Sequence, residues 1–131
     1  MIFLKSEREL NYLRDAGKIV AKTLAEVKKA VRPDITTQEL DKIAEDFIKG
    51  CGAVPAFKGY HGFPGNICTS VNEQVVHGIP GLRKLKNGDN VSIDVGTLIN
   101  GYYGDAAITV PVGEVDAEVQ KLLDITEESL Y

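Results

Sequence analysis

Residues 91–110 read VSIDVGTLINGYYGDAAITV, in which two runs of alternating apolar side chains meet at Asn100-Gly101. An Asn-Gly pair between such runs predicts a β-hairpin with a two-residue type I′ turn. In that turn Ile99 pairs with Tyr102, and every other pair along the two strands follows from this one. The sequence therefore predicts both a long antiparallel hairpin and its register.

The predicted register brings two aspartates together. Asp94 lies opposite Ala107, and Asp105 is two residues from Ala107 on the same strand, so both carboxylates leave one face of the sheet. Diagonal neighbours of this kind lie roughly 7–8 Å apart at Cα and closer at the ends of their side chains. Two carboxylates at that separation suit one cation or a close pair of cations, so we predict a metal site. The alternative is that both aspartates are simply solvated. A three-residue loop would place them on opposite faces.

The other face of the hairpin is the predicted core side. It carries residues that alternate with the aspartate face, namely Val91, Ile93, Val95, Thr97, Ile99, Tyr102, Gly104, Ala106, Ile108 and Val110. A slip of one residue would turn both apolar sets towards solvent, which supports the proposed register.

The composition is that of an ordinary globular domain. The chain has 131 residues, 44% hydrophobic and 26% charged, and we expect residues 1–131 to form one domain. A net charge of −4 argues against a nucleic-acid partner. No apolar stretch approaches the roughly 18 residues of a membrane span, and the amino terminus lacks a signal-peptide pattern, so we expect a cytoplasmic protein with no membrane partner.

Cys51 and Cys68 have no CxxC spacing and are expected to be small buried hydrophobes.

Two capping boxes predict helices in the first part of the chain. Ser6-Glu7-Arg8-Glu9 begins one helix, which Arg32-Pro33-Asp34 ends. Thr36-Thr37-Gln38-Glu39 begins a second helix, which we expect to end at Gly50 or Gly52.

The remaining segments are predicted from their turn-forming residues and helix caps. Residues 53–65 are loop-like, and Asn66–Asn72 and Gln74–His77 are expected to be short strands around a turn. Asp116 is expected to cap a third helix. No stop signal precedes Tyr131, so we expect the chain to be cut within that helix.

An ordered series of motifs lies between residues 59 and 105. In chain order they are Gly59-Tyr60-His61-Gly62-Phe63-Pro64-Gly65, Asn66-Ile67-Cys68-Thr69-Ser70-Val71-Asn72-Glu73, Val76-His77-Gly78-Ile79-Pro80, Ile93-Asp94-Val95-Gly96 and Gly101-Tyr102-Tyr103-Gly104-Asp105. The series resembles the amino-terminal half of the bacterial type I methionine aminopeptidases, and the resemblance covers essentially the whole chain. Each motif alone is a weak signal, whereas their order and spacing are specific.

The resemblance implies half of a pita-bread fold, an α/β (α+β) structure with an antiparallel sheet and helices packed on one face. In that family two such halves surround a two-metal site that hydrolyses the amino-terminal methionine from peptides. Asp94 and Asp105 match the two aspartate ligands, Asp94 on one metal and Asp105 bridging both. Such carboxylates suit hard divalent ions, here Mn, Fe(II) or Co.

The resemblance also assigns residues to the methionyl-peptide substrate. His77 matches a histidine that hydrogen-bonds near the scissile amide, and His61 matches a second histidine of the cleft. Tyr60, Phe63 and Cys68 match the wall of the methionine pocket. Each residue has a plainer interpretation: loop histidines with satisfied hydrogen bonds, loop anchors for the two aromatics, and ordinary core for the cysteine.

The chain departs from the family by lacking the second half. The remaining ligands, a histidine and two glutamates, one of them the general base, would follow Tyr131. We therefore expect little or no activity from the chain alone. Three interpretations stay open: a fragment that needs the missing half, a half-sized subunit that forms a C2 homodimer to rebuild the fold, and a non-enzymatic module that binds a peptide or partner.

Overall fold

The computed structural model describes residues 1–131 as three helices and a four-stranded antiparallel sheet. In chain order the elements are α1 (Glu7–Ala30), α2 (Thr37–Gly50), β1 (Val54–Pro55), a 3₁₀ turn (Tyr60–Gly62), β2 (Cys68–Val71), β3 (Asn90–Ile99), β4 (Tyr102–Pro111) and α3 (Ala117–Glu128). No helix has both the length and the apolarity needed to cross a membrane.

Strand β3 is the centre of the sheet. Strand β4 pairs with it along its whole length, from Asn90↔Pro111 to Ile99↔Tyr102. The opposite edge of β3 is shared by β2, which pairs with residues 91–94, and by β1, which pairs with residues 97–98. Strand β4 pairs on one side only, so its outer edge is open.

The predicted hairpin register is confirmed. Ile99 pairs with Tyr102 and Asp94 with Ala107. Asn100 and Gly101 both have positive φ, 53° and 79°, as a type I′ turn requires.

Helices α1 and α2 begin at the two predicted capping boxes. The Ser6 hydroxyl accepts from the Glu9 amide at 3.4 Å, and the Thr36 hydroxyl accepts from the Glu39 amide at 3.2 Å. In each box the glutamate carboxylate accepts in return from the N-cap amide at 2.8 Å. Because both boxes satisfy amides that a helix start would otherwise leave unpaired, they fix where α1 and α2 begin.

The core lies between these two helices and one face of the sheet. Its buried apolar side chains include Val20, Leu24 and Val27 of α1, Leu40, Ala44 and Ile48 of α2, and Val91, Ile93 and Val95 of β3. The predicted core face of the hairpin is thus largely confirmed, although Ala106 on the edge strand is exposed. This arrangement agrees with the predicted antiparallel sheet with helices packed on one face.

Helix α1 crosses the sheet at a glycine. A Cβ atom on Gly104 would lie 2.6 Å from the Ala16 carbonyl carbon, so only glycine allows the helix backbone to approach β4 this closely. At the same place the buried Thr97 hydroxyl donates to the Ala16 carbonyl at 3.2 Å. This contact sets the position of α1 on the core face of the sheet.

The predicted strand at Gln74–His77 is wrong. Asn72 and His77 have φ of 53° and 58°, in the left-handed region, which interrupts an extended backbone at both ends of the segment. The Gln74 side chain instead accepts from the Val71 amide at 2.9 Å and closes a turn. The strand predicted at Asn66–Asn72 is present but shorter, at Cys68–Val71.

Two smaller predictions also need correction. Within the predicted loop 53–65, Val54–Pro55 pairs with β3 as strand β1. Cys68 is buried as expected, but Cys51, which follows the last residue of α2, is exposed.

Candidate active site

The aspartate face of the hairpin forms the floor of a cleft of about 570 Å³. All seven residues that the sequence singles out line it, namely Tyr60, His61, Phe63, Cys68, His77, Asp94 and Asp105. They come from the 60–63 turn, strand β2, the segment before Gly78, and the two strands of the hairpin. The structure therefore brings together residues that lie up to 45 positions apart in the chain (60 to 105).

The two aspartates are diagonal neighbours across β3 and β4. Asp94 pairs with Ala107 and Asp105 pairs with Gly96, which is the predicted relation. Asp94 is partly buried and Asp105 is exposed, so the pair runs from the cleft floor to its opening.

Asp94 is an electrostatically costly carboxylate. Burial, followed by the charge of Asp105, raises its pKa to about 6, and only His77 acts in the other direction. The Asp94 Oδ1 atom is buried and has no hydrogen-bond partner. A buried acceptor of this kind carries a desolvation penalty that a hydrogen bond would normally offset.

The donor set suits a hard cation. Two carboxylates on one face, one with an unpartnered buried oxygen, are what a divalent ion would stabilise, because its charge opposes both the burial and the mutual repulsion. No cluster of three or more His, Cys, Asp or Glu side chains with metal-binding geometry is formed. The residues present therefore fit a metal ion as an open, two-carboxylate site.

Cys68 forms part of the cleft wall as a neutral thiol. It pairs with Asp94 across β2 and β3. Burial, and then the charges of Asp94 and Asp105, raises the pKa of its thiol to about 11. A thiol that stays protonated at neutral pH is a poor nucleophile and a poor metal ligand, and behaves as a soft apolar surface.

Both cleft histidines have a backbone conformation in the left-handed region. His61 has φ 47° within the 3₁₀ turn, and its ring meets the Tyr60 ring edge-on at 4.3 Å. His77 has φ 58°. Left-handed non-glycine residues are uncommon, and in this chain they also occur at Asp34, Asn72 and Asn100.

Gly78 fixes the position of His77. Its amide donates to the Ser70 hydroxyl at 3.0 Å, and its carbonyl accepts from the Thr69 amide at 2.9 Å. A Cβ atom on Gly78 would lie 2.1 Å from the Thr69 carbonyl oxygen, so the chain could not approach β2 with any other residue there. His77 is thereby held against the strand that carries Cys68.

Phe57 is a cleft residue that sequence reasoning missed. Its ring lies over Gly96, where a Cβ atom would come within 2.5 Å of the ring edge. Because Gly96 pairs with Asp105, this places the ring directly beside the carboxylate pair. The signal was available: a glycine inside a strand often marks a close approach from another part of the chain. Ile79 also lines the cleft and was not singled out.

The loop that carries Tyr60, His61 and Phe63 is anchored at both ends. The Lys58 ammonium donates to the Pro64 carbonyl at 2.6 Å, and the Gly59 amide donates to the Phe63 carbonyl at 2.8 Å. These bonds close the loop on itself. The cleft wall is therefore a preformed turn rather than a free segment.

A sequence profile of metallopeptidase family M24 matches residues 11–131. The chain belongs to that family. It is 60% identical to methionine aminopeptidase 1 of Bacillus subtilis and 52% identical to methionine aminopeptidase of Clostridium acetobutylicum, in both cases over its whole length. Each match covers 53% of the relative, so the chain spans about half the length of the curated relatives it matches.

Solved structures of the M24 family agree with the fold. The crystal structure of methionine aminopeptidase from Rickettsia prowazekii superposes with a TM-score of 0.95 at 41% identity, over 98% of this chain and 52% of that one. Aminopeptidase P from E. coli superposes with a TM-score of 0.82 at 27% identity, over 96% of this chain and 28% of that one. The chain is therefore a pita-bread structure of the M24 type that covers 52% and 28% of these two solved chains.

Proposed function

We propose that residues 1–131 form half of a pita-bread domain whose complete site removes amino-terminal methionine from peptides and nascent proteins. The names of the relatives support the reaction class. The observation that carries the proposal is the pairing of Asp94 with Asp105 on the floor of the cleft, with Asp94 Oδ1 buried and unpartnered. A binding surface that needed no cation would have little reason to keep that atom unsatisfied.

Asp94 and Asp105 would hold divalent metal, two ions in a complete site, with Mn, Fe(II) or Co as the candidates suited to this donor set. When bound, such ions polarise the scissile carbonyl and activate water. The protein's own contribution is to keep both carboxylates on one rigid hairpin, because strand residues are positioned more accurately than loop residues.

His77 would contact the substrate near the scissile amide, which is the role that the family resemblance implies, and it lines the same cleft as the two aspartates. His61 would line the same cleft. The methionine side chain would pack against Tyr60, Phe63 and the neutral thiol of Cys68. Aromatic rings and a protonated thiol form a soft surface that suits a thioether.

Turnover of a methionyl peptide tests the proposal most simply. We expect the 131-residue chain with Mn²⁺ to have little or no activity, because its site offers two carboxylates and no cluster of three ligands. Adding the part of the B. subtilis enzyme that the match does not cover should restore measurable turnover, and Asp94→Asn in this chain should abolish it. A rate near 10 s⁻¹ in order of magnitude from this chain alone would refute the expectation.

A C2 homodimer is a second candidate for the assembled state, favoured by two surfaces. The outer edge of β4 is unpaired, and α3 buries none of its residues, with Leu122 and Ile125 exposed by 66% and 51%. Open edges and exposed apolar helix faces are surfaces on which chains associate. Light scattering should then give a mass of twice 14.2 kDa; the mass of a monomer would rule out the homodimer.

No observation favours a non-enzymatic binding module, and the relatives named above are peptidases.

A further inference from the structure

The chain contains two Asn-Gly pairs, Asn87-Gly88 and Asn100-Gly101. Asn-Gly is the dipeptide most open to spontaneous loss of the side-chain amide, because glycine has no Cβ to shield its backbone nitrogen. Both asparagines precede glycine, whereas the residues before them differ, Lys86 and Ile99. A difference in rate that exists in the folded protein and disappears on unfolding therefore comes from structure.

The reacting groups of Asn87 are both restrained. Its side-chain oxygen accepts from the Glu114 amide at 2.9 Å. The Gly88 nitrogen, which would be the nucleophile, donates to the Val112 carbonyl at 2.9 Å. Reaction at Asn87 requires that both hydrogen bonds open.

The reacting groups of Asn100 are free. Its side chain makes no hydrogen bond, and neither does the Gly101 amide, since the turn is closed by the Ile99–Tyr102 pair. Asn100 is exposed and lines a cavity of about 530 Å³ beside Tyr102 and Arg8, so water has access to the site.

We propose that Asn100 is a site of spontaneous deamidation and isoaspartate formation in this protein. The deprotonated Gly101 nitrogen attacks the Asn100 side-chain carbonyl carbon, forming a C–N bond. The amide C–N bond breaks, and ammonia leaves with a proton from the medium. Water then opens the cyclic imide at either carbonyl, giving aspartate or isoaspartate; the net change is one water taken up and one ammonia released.

The two products have different consequences for the hairpin. Aspartate-glycine is itself a good type I′ turn, so the aspartate form keeps the register. Isoaspartate adds a methylene to the main chain of a two-residue turn, which no longer fits the Ile99–Tyr102 pair. That pair sets the register that makes Asp94 and Asp105 neighbours. A modification in the turn therefore changes the alignment of the two aspartates in the cleft.

The test is to age the folded chain in mildly alkaline buffer and map deamidation by peptide mass and isoaspartate labelling. We expect Asn100 to react roughly tenfold or more faster than Asn87, because two hydrogen bonds protect only the latter. In concentrated urea both protections disappear, and the two rates should converge. Equal rates in the folded chain, or a rate ratio unchanged by urea, would overturn the proposal.

The Asn100→Asp variant separates charge from linkage. It has the charge of the products and a normal main chain, so it should melt close to the unmodified protein. The isoaspartate fraction, separated by chromatography, should melt at a lower temperature than this variant. If the two melted together, the proposed effect on the register would be wrong.

Discussion

Asp41 and Asp94 are both partly buried carboxylates next to strand β2, but their surroundings are opposite. Asp41 accepts from the Asn66 amide at 2.7 Å, the Asn66 side chain at 2.6 Å and the Ile67 amide at 3.0 Å. Asp94 faces another carboxylate, and its buried Oδ1 accepts nothing. The first carboxylate completes the fold. The second is costly to the fold, and we propose that a ligand from outside the fold offsets this cost.

The difference follows from what each strand neighbour offers. The backbone leading into β2 has amides with no sheet partner, and Asp41 on α2 supplies the acceptor they need. Asp94 is within the central strand and has a paired strand on each side, β2 and β4. Its buried Oδ1 finds no backbone donor there.

The largest expected effect on the free energy of unfolding comes from replacing Asp41, the carboxylate whose hydrogen bonds are satisfied. Asp41→Ala leaves buried donors at Asn66 and Ile67 without an acceptor, and should lower the free energy of unfolding by about 3 kcal/mol. Urea denaturation measures this. The matched control is Asp46→Ala on the same helix, whose exposed ion pair with Lys42 should be worth less than about 1 kcal/mol. Equal effects from the two variants would remove the structural role assigned to Asp41.

Replacing Asp94, the carboxylate with the unpartnered oxygen, should change the free energy of unfolding in the opposite direction. In metal-free protein at about pH 7, Asp94→Asn should raise the free energy of unfolding by roughly 1 kcal/mol, discounted for partial exposure of the group. The pKa of Asp94 is raised to about 6, so its protonated form favours folding at low pH, and this stability is lost as pH rises through that pKa. The advantage of the variant should therefore vanish towards about pH 4. A variant that is less stable than the wild type at neutral pH would show that the Asp94 charge does not destabilise the fold.

Cysteine reactivity gives a smaller test of the same electrostatics. In metal-free protein, iodoacetamide should modify exposed Cys51 on the order of a hundredfold faster than Cys68, whose raised pKa of about 11 keeps it protonated. Asp94→Asn removes a charge that contributes to this shift, so the pKa of Cys68 should fall and its labelling should accelerate relative to Cys51. An unchanged ratio would mean that the Asp94 charge does not reach the thiol.

Local sequence signals predicted much of the fold. The hairpin register rests on Asn100-Gly101, and the starts of α1 and α2 rest on capping boxes in which both partners lie within four residues. The strand expected at Gln74–His77 failed for the converse reason. His77 is next to Gly78, which bonds to β2, and the Asn72 side chain bonds to Asp89 and to the Asn90 amide. Such contacts between distant segments leave no local pattern.

The site was predictable to the extent that it is local or resembles a known family. The diagonal relation of Asp94 and Asp105 follows from strand geometry alone, whereas the convergence of His61 and His77 on that face came from the resemblance. Phe57 and the Asp41 anchor were missed, because each depends on a contact between distant segments. Gly96, a glycine within a central strand, was the one local sign of the Phe57 contact.

We propose that Asp94 and Asp105 bind a divalent cation, and amide NMR with a Mn²⁺ titration detects such binding even if the affinity is weak. We predict selective paramagnetic broadening of signals around Asp94, Asp105 and Cys68. The broadening should be abolished by Asp105→Ala and retained by His77→Ala, since His77 is assigned to substrate. Broadening centred elsewhere, or unchanged in Asp105→Ala, would contradict the metal site.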